Sequence, residues 1–309
     1  MTRPSPRPLV RFARFTSRML LSAAACCTAL AVQAAGPGDA LRAKHTALSA
    51  ELERNAFQRP LVIRSSQSAG NLRGDVYAVV DHPFGTVDKA LRAANQWCEV
   101  LILPFNVKQC RAGRESDEHK LALHIGRKHD QPVAHAYEVN FDYRLAAASP
   151  EHLKVLLTAP TGPMGTHDYR ISFEAVALDA QRSFLHISYS YGFGFAARMA
   201  MQGYLGTVGR DKIGFTVVDR AADGRPVYVD NVRGVIERNT MRYYLAIDAY
   251  LDSLAAPPHE RRERRMREWF TATERYPRQL HEMELAEYLS MKRKEVARQP
   301  THTQTANAG

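Results

Sequence analysis

The sequence predicts an α+β fold: an antiparallel sheet of about six to seven strands paired with one long C-terminal helix, plus a β-hairpin insertion and a helical C-terminal extension. Three observations carry the prediction. Apolar and polar residues alternate with period two through much of 107–191, the pattern of an antiparallel sheet with one wet face. A broad apolar side recurs at helical spacing over 233–254. Pro257 and Pro258 end that helix, and a charged helical pattern follows.

Taken in order, residues 1–18, MTRPSPRPLVRFARFTSR, hold five arginines and no acid, and the apolar run MLLSAAACCTALAV follows. This is the three-part pattern of a secretory signal peptide. Val32 and Ala34 fit the small-residue cleavage rule, so the cut is expected near Ala34 and the mature protein in the periplasm or secreted. The run is short of the roughly 20 apolar residues a spanning helix needs; an uncleaved anchor is the alternative. The whole chain has 42 basic and 32 acidic residues. Five arginines leave with residues 1–34, so 37 basic residues face 32 acidic ones, a net charge of +5. That small excess argues against nucleic acid as a partner.

Export bears on the cysteines. Cys26 and Cys27 leave with the signal, so Cys98 and Cys110 alone remain in an oxidising space. They are expected to form a structural disulfide. A zinc site would need further ligands at tight spacing, and a redox pair is usually C-x-x-C.

Residues 35–69 are expected to form a helix and linker, with Leu41, Leu48, Leu52 and Phe57 at helical spacing before a Ser/Gly-rich break. The main domain spans 70–256. It opens with a strand over 74–81. A helix follows, with Asp81 as its cap, Pro83 in its first turn, and Val87, Leu91 and Ala94 on one face up to Trp97 and Cys98. Strands follow at VKQCRAG, KLALHIG, AHAYEVNFDYRLA, HLKVLLTAP, THDYRISFEAVALD and SFLHISYSYGFG. A helix after 194, a hairpin over 213–229 and the 233–254 helix complete the domain. The extension, 257–298, is broken at Pro277, and 299–309 reads as a disordered tail.

This order resembles the START-like superfamily, which includes polyketide cyclase-like and lipid-transfer domains. The segments that carry the resemblance are VYAVVDHPFGTVDKALRAANQWCEVLILPFNVKQCR at 76–111 and YRISFEAVALDAQRSFLHISYSYGFGFAARMAMQGYL at 169–205. It covers roughly 70–254, and the 213–229 hairpin and the extension depart from it. It implies the helix-grip fold, a curved sheet gripping a long helix around an apolar cavity, and a hydrophobic ligand such as a lipid, sterol or polyketide. It also places the Cys98–Cys110 bond on the helix-to-strand crossover beside the cavity entrance.

The aromatic faces are the most informative chemistry. Tyr137, Val139, Phe141 and Tyr143 share a strand face, as do Tyr169, Ile171 and Phe173, and as do Tyr189 and Tyr191. With Tyr243 and Ile247 of the long helix they are expected to line a ligand pocket, hydroxyls orienting the ligand. The competing expectation is ordinary core.

Other patterns are weaker. His119, His124, His129 and His135 lie close together but lack metal-ligand spacing, so no metal is expected. GFGFAA at 192–197 mimics a dinucleotide fingerprint, but antiparallel strands are the wrong context, and no cofactor is expected. Glu138, Asp142, Glu174, His186 and Asp211 are acid–base candidates that spacing does not single out. The extension has eleven basic and eight acidic residues over 257–300, the composition of a solvated, salt-bridged helix, while Trp269, Phe270, Tyr276, Leu280, Met283 and Leu289 point to one side packed on the domain; a peripheral membrane contact is the sharper alternative.

The expected function is non-catalytic binding or transport of a hydrophobic small molecule or lipid in the cell envelope. The alternatives are a cyclase- or dehydratase-type enzyme using a cavity His, Tyr or carboxylate, and a structural envelope protein without ligand. Catalysis is left open, with the balance against it.

Overall fold

A computed structural model describes residues 1–2, 36–113, 119–207 and 212–299. The chain divides into residues 1–34 and 35–309. Apart from Met1 and Thr2, the expected signal peptide, with Cys26, Cys27 and the cleavage site near Ala34, lies outside the described residues, as do Asp211 and the tail beyond Gln299.

The elements run α1 (Asp39–Glu53), β1 (Leu61–Gln67), β2 (Asn71–Val80), α2 (Phe84–Leu91), α3 (Ala94–Leu101), β3 (Val107–Ala112), β4 (Lys120–Ile125), β5 (Tyr137–Ser149) and β6 (His152–Thr161). They continue with β7 (Thr166–Ala177), β8 (Ser183–Phe193), α4 (Phe195–Gly206), β9 (Val217–Arg220), β10 (Pro226–Tyr228), α5 (Asn231–Ser253), α6 (Arg261–Glu274), α7 (Pro277–Leu280) and α8 (Leu285–Ala297). Eight strands form one antiparallel sheet in the order β1-β2-β8-β7-β6-β5-β4-β3, and β9 and β10 form a separate hairpin. Register shifts in β3–β4, β5–β6 and β7–β8 mark irregular pairings of the kind that bend strands. Helix α5 packs on β1, β2 and β8. The arrangement is a helix-grip.

The alternation in β5 is as the sequence predicts. Val139, Phe141 and Tyr143 are buried on the inner face, while Glu138, Asn140 and Asp142 are exposed. Gly74 of β2 lets α5 approach closely: a Cβ there would stand 2.2 Å from Thr240 Oγ1.

The sheet has eight strands rather than six or seven, because the expected linker contains β1. Leu61, Val62 and Ile63 are all buried, Leu61 and Ile63 in the main core and Val62 against α1 on the outer face. A strand covered on both sides has no wet face, so it shows no alternation. The single helix expected over 81–98 is two. Ala93 is extended at φ −110°, and its N–H donates to Gln96 Oε1 at 3.0 Å, starting α3. Pro83, not Asp81, occupies the cap position, and no side chain caps it.

The extension packs its apolar side on the domain, as Trp269, Phe270, Leu280, Met283 and Leu289 predict. Arg264 and Arg267 pair on its surface with Glu268 and Glu263, yet its other side belongs to the core. Trp269 and Tyr288 are fully buried, stack around Phe105, and donate to Arg242 O at 3.1 Å and Leu103 O at 3.0 Å. Each aromatic pair adds about 0.5–1.5 kcal/mol beyond area burial. Among the described residues no helix is long and apolar enough to cross a membrane.

Candidate functional site

Strand register assembles the inner face. Ile171 stands opposite Tyr189 and Phe173 opposite Ile187, while Ala159 faces Tyr169 from β6. Period two then puts Tyr169, Tyr189 and Tyr191 at one end, where Tyr169 and Tyr191 stack at 5.3 Å and Tyr189 and Tyr191 lie 5.6 Å apart. Tyr243 of α5 meets Tyr189 edge-on at 5.1 Å, and Phe141 meets Tyr169 at 6.3 Å. The Tyr169 hydroxyl shares a 2.8 Å hydrogen bond with Thr166 Oγ1. Burial pushes the Tyr169, Tyr189, Tyr191 and Tyr243 phenols above their ordinary range. They are neutral hydrogen-bonding groups here, not bases.

The remaining predicted pocket residues lie elsewhere. Phe173 is fully buried against Trp97 at 5.7 Å, and Val139 and Ile247 are equally buried. Tyr143 donates its hydroxyl to Arg92 O, and burial lifts its pKa to about 12. Tyr137 stands on the rim, 45% exposed. The deep half of the grip is therefore filled by the protein's own side chains. None of the predicted pocket residues lines either of the two cavities described next.

The larger of these, of about 490 Å³, has charged side chains such as Arg59, Asp248 and Asp252 in its lining and lies between α5, α6 and the end of β2. Arg59 holds Asp248 through two bonds of 2.9 and 3.2 Å, and His82 Nε2 lies 2.9 Å from Asp252 Oδ1. Burial raises Asp248 despite the opposing pull of Arg59, and the hydrogen bond to Asp252 raises His82. No local pattern marks this cleft, because its lining comes from four separate segments.

The second cavity, of about 240 Å³, lies beside the disulfide. Cys98 and Cys110 are bonded, with Cα atoms 5.2 Å apart, inside the range a disulfide requires. Cys98 is in the last turn of α3 and Cys110 on β3, as expected. The surroundings are not those of a ligand entrance. The cleft is lined by residues of α3, α6 and α8 such as Glu99, Arg265 and Val296, and Gln299 Oε1 accepts from Cys110 N at 2.9 Å. The extension, lying outside the resemblance, covers the crossover.

The described acid–base candidates occupy the outer face. Glu174 binds His152 at 2.8 Å and Lys154 at 3.0 Å. His186 binds Asp75 at 2.8 Å and stacks on Tyr77. Glu138 lies 3.1 Å from His124, and Asp142 pairs with Lys120. Among the described residues no group of three or more His, Cys, Asp or Glu is placed to hold a metal. The GFGFAA glycines serve packing at Gly192, where a Cβ would meet the His167 ring at 2.3 Å.

No family model matches the chain, and no curated protein matches it. Solved structures of similar fold include a START superfamily protein from Mycobacterium smegmatis, at 11% identity and a TM-score of 0.30, over 48% of this chain and 88% of that one. Another is the Zhui aromatase/cyclase from Streptomyces sp. R1128, at 14% and 0.29, over 43% and 71%. A conserved protein from Geobacillus kaustophilus aligns at 16% and 0.30, over 46% and 84%. Similarity at this level says nothing of activity, and the helix-grip assignment rests on strand order and the seat of α5.

Proposed function

We propose that this protein is a non-catalytic binder or carrier of a hydrophobic small molecule or lipid, held between the sheet and α5, and that it works in the cell envelope after export. One observation carries the reading: four tyrosine rings gather at one end of the grip, around the half-buried Tyr243. Phenols present apolar faces to a ligand and hydroxyls to its polar atoms, at little conformational cost. The outer-face position of Glu138, Asp142, Glu174 and His186 supports binding over catalysis, since none can reach a ligand in the grip.

A second reading, a structural protein without ligand, is favoured by the close packing of Phe173, Trp97 and Ile247 in the deep half. Native mass spectrometry of protein purified from its host, with titration of the apolar fluorophore N-phenyl-1-naphthylamine, separates the two. Binding predicts a stoichiometric co-purifying molecule and saturable fluorescence that Tyr243→Ala weakens. A bare protein that ignores the fluorophore refutes it.

A further inference from the structure

Helix α5 carries a half-buried stripe at Val235, Asn239 and Tyr243, one turn apart, and Tyr243 is the member that meets the tyrosine cluster. Beside the stripe lie Arg238 and Arg242, 2% and 6% exposed. Arg242 reaches back to the stripe, with Nη1 3.5 Å from Asn239 Oδ1. Its Nη2 donates to Glu282 Oε1 at 2.6 Å. Lys128 Nζ, from the β4–β5 loop, donates to the same oxygen at 2.6 Å, and Lys212 Nζ stands 3.9 Å from the other. One carboxylate, itself 9% exposed at its side chain, is thus shared by three cations from three separate segments.

Two further observations mark this group as more than a structural ion pair. The Nε–H of Arg242 is buried and has no acceptor among the described residues. A buried donor left unmade is destabilising and calls for an acceptor from elsewhere. Crowding of positive charge is also evident: burial first, and then Arg242, lowers Lys128 to about 8, and Lys212 is lowered by burial with Arg242 and Arg238 opposing its charge. An added anion would relieve both conditions. It would accept from Arg242 and offset part of the positive charge gathered around Glu282.

We infer that this cation group receives the anionic head, a carboxylate or phosphate, of an amphipathic ligand whose apolar body lies along the tyrosine end of the grip. The inference rests on the proposed hydrophobic binding and narrows it to amphiphiles that carry a negative charge at one end. Arg242 supplies planar donors from α5, and Lys128 and Lys212, held by Glu282 and His281 O, supply ammonium donors from two loops.

The test compares dodecanol, dodecanoate and dodecyl phosphate, equal chains with different heads, as displacers of N-phenyl-1-naphthylamine from the full-length mature protein. Inorganic phosphate is a fourth arm. At least one charged dodecyl compound is expected to bind about tenfold more tightly than dodecanol, and the better of the two identifies the head. Inorganic phosphate alone is expected to displace nothing. Lys212→Gln and Lys128→Gln, both at partly exposed side chains, should each reduce the preference for charge while leaving dodecanol affinity unchanged. Equal affinity for all three chains overturns the anionic head and leaves hydrophobic binding standing. A charge preference that survives both substitutions places the anion elsewhere and overturns the assignment. Failure of every chain to bind removes the hydrophobic reading and this inference with it.

Discussion

The ammonium of Lys292 lies 2.7 Å from Glu295 Oε2, one turn further along α8, and neither side chain has any exposure to solvent. Lys108 of β3 takes the other oxygen at 2.8 Å. Each lysine fills its remaining donors with backbone carbonyls, Lys108 with Phe105 and His129, and Lys292 with Pro104 and Val107. A sealed charge network with every donor satisfied fixes one docking position for α8, since any shift would strand a buried charge.

Glu295→Gln should therefore cost about 3–5 kcal/mol, because two buried ammonium groups lose the carboxylate they share. Lys292→Met should cost less, since Lys108 and Glu295 still form a neutral pair. Urea denaturation of the two variants beside the parent gives the order, and a milder Glu295→Gln would contradict the network's role.

Two buried lysines, Lys292 and Lys128, set an alkaline pH dependence. Burial lowers both Lys292 and Lys128 to about 8 from the ordinary value of 10.5. Between those values the unfolded chain holds more protons than the folded one, so stability rises with pH across that interval. Thermal melts from pH 7.5 to 9.5 should show the rise, and Lys292→Met should flatten it. A flat parent profile would count against the burial argument.

On the outer face, Asp75 accepts from Arg73 at 2.8 and 2.9 Å and lies 2.8 Å from His186. These hydrogen bonds hold its carboxyl well below the usual range against the opposing effect of burial. Its contribution is present above the unfolded-state value near 3.8 and is lost as pH falls below it. Asp75→Asn is expected to cost about 1.5–3 kcal/mol at pH 7. The gap between variant and parent should close progressively below pH 4 in denaturant titrations.

Removing the disulfide as the double variant Cys98→Ser/Cys110→Ser should lower unfolding free energy by about 2–3 kcal/mol, the chain-entropy value for a short loop. Fluorophore affinity should not change, because the bond lines the α3–α6–α8 cleft rather than the tyrosine end. An equally large loss of affinity would return the bond to the role of a clamp at the ligand entrance.

Legibility in the sequence followed solvent contact. β5 was readable because Glu138, Asn140 and Asp142 meet water while Val139, Phe141 and Tyr143 do not. β1 was not, because Val62 is covered as well as Leu61 and Ile63. In α8 the charged Lys292 and Glu295 suggested a wet helix, and nothing local reveals that Lys108, on a strand far earlier in the chain, completes their neutralisation. The tyrosine faces could be listed from period two alone. Which of them gather depended on register and on α5, so Tyr169, Tyr189, Tyr191 and Tyr243 meet while Tyr137 stands on the rim. The cations around Glu282 left no local signal, since each comes from a different segment.

Arg298 and Gln299, just beyond α8, lie against β3. β3 is the outermost strand of the sheet, with only β4 beside it. Its free side is met by the helix end, where Gln299 takes Cys110 N and Gln109 Nε2 donates to Arg298 O at 3.0 Å. An uncovered border of that kind invites strand addition from another molecule. The extension thus also acts as a guard against self-association, and a chain ending at Ala256 would offer β3 as a template for oligomers and aggregates.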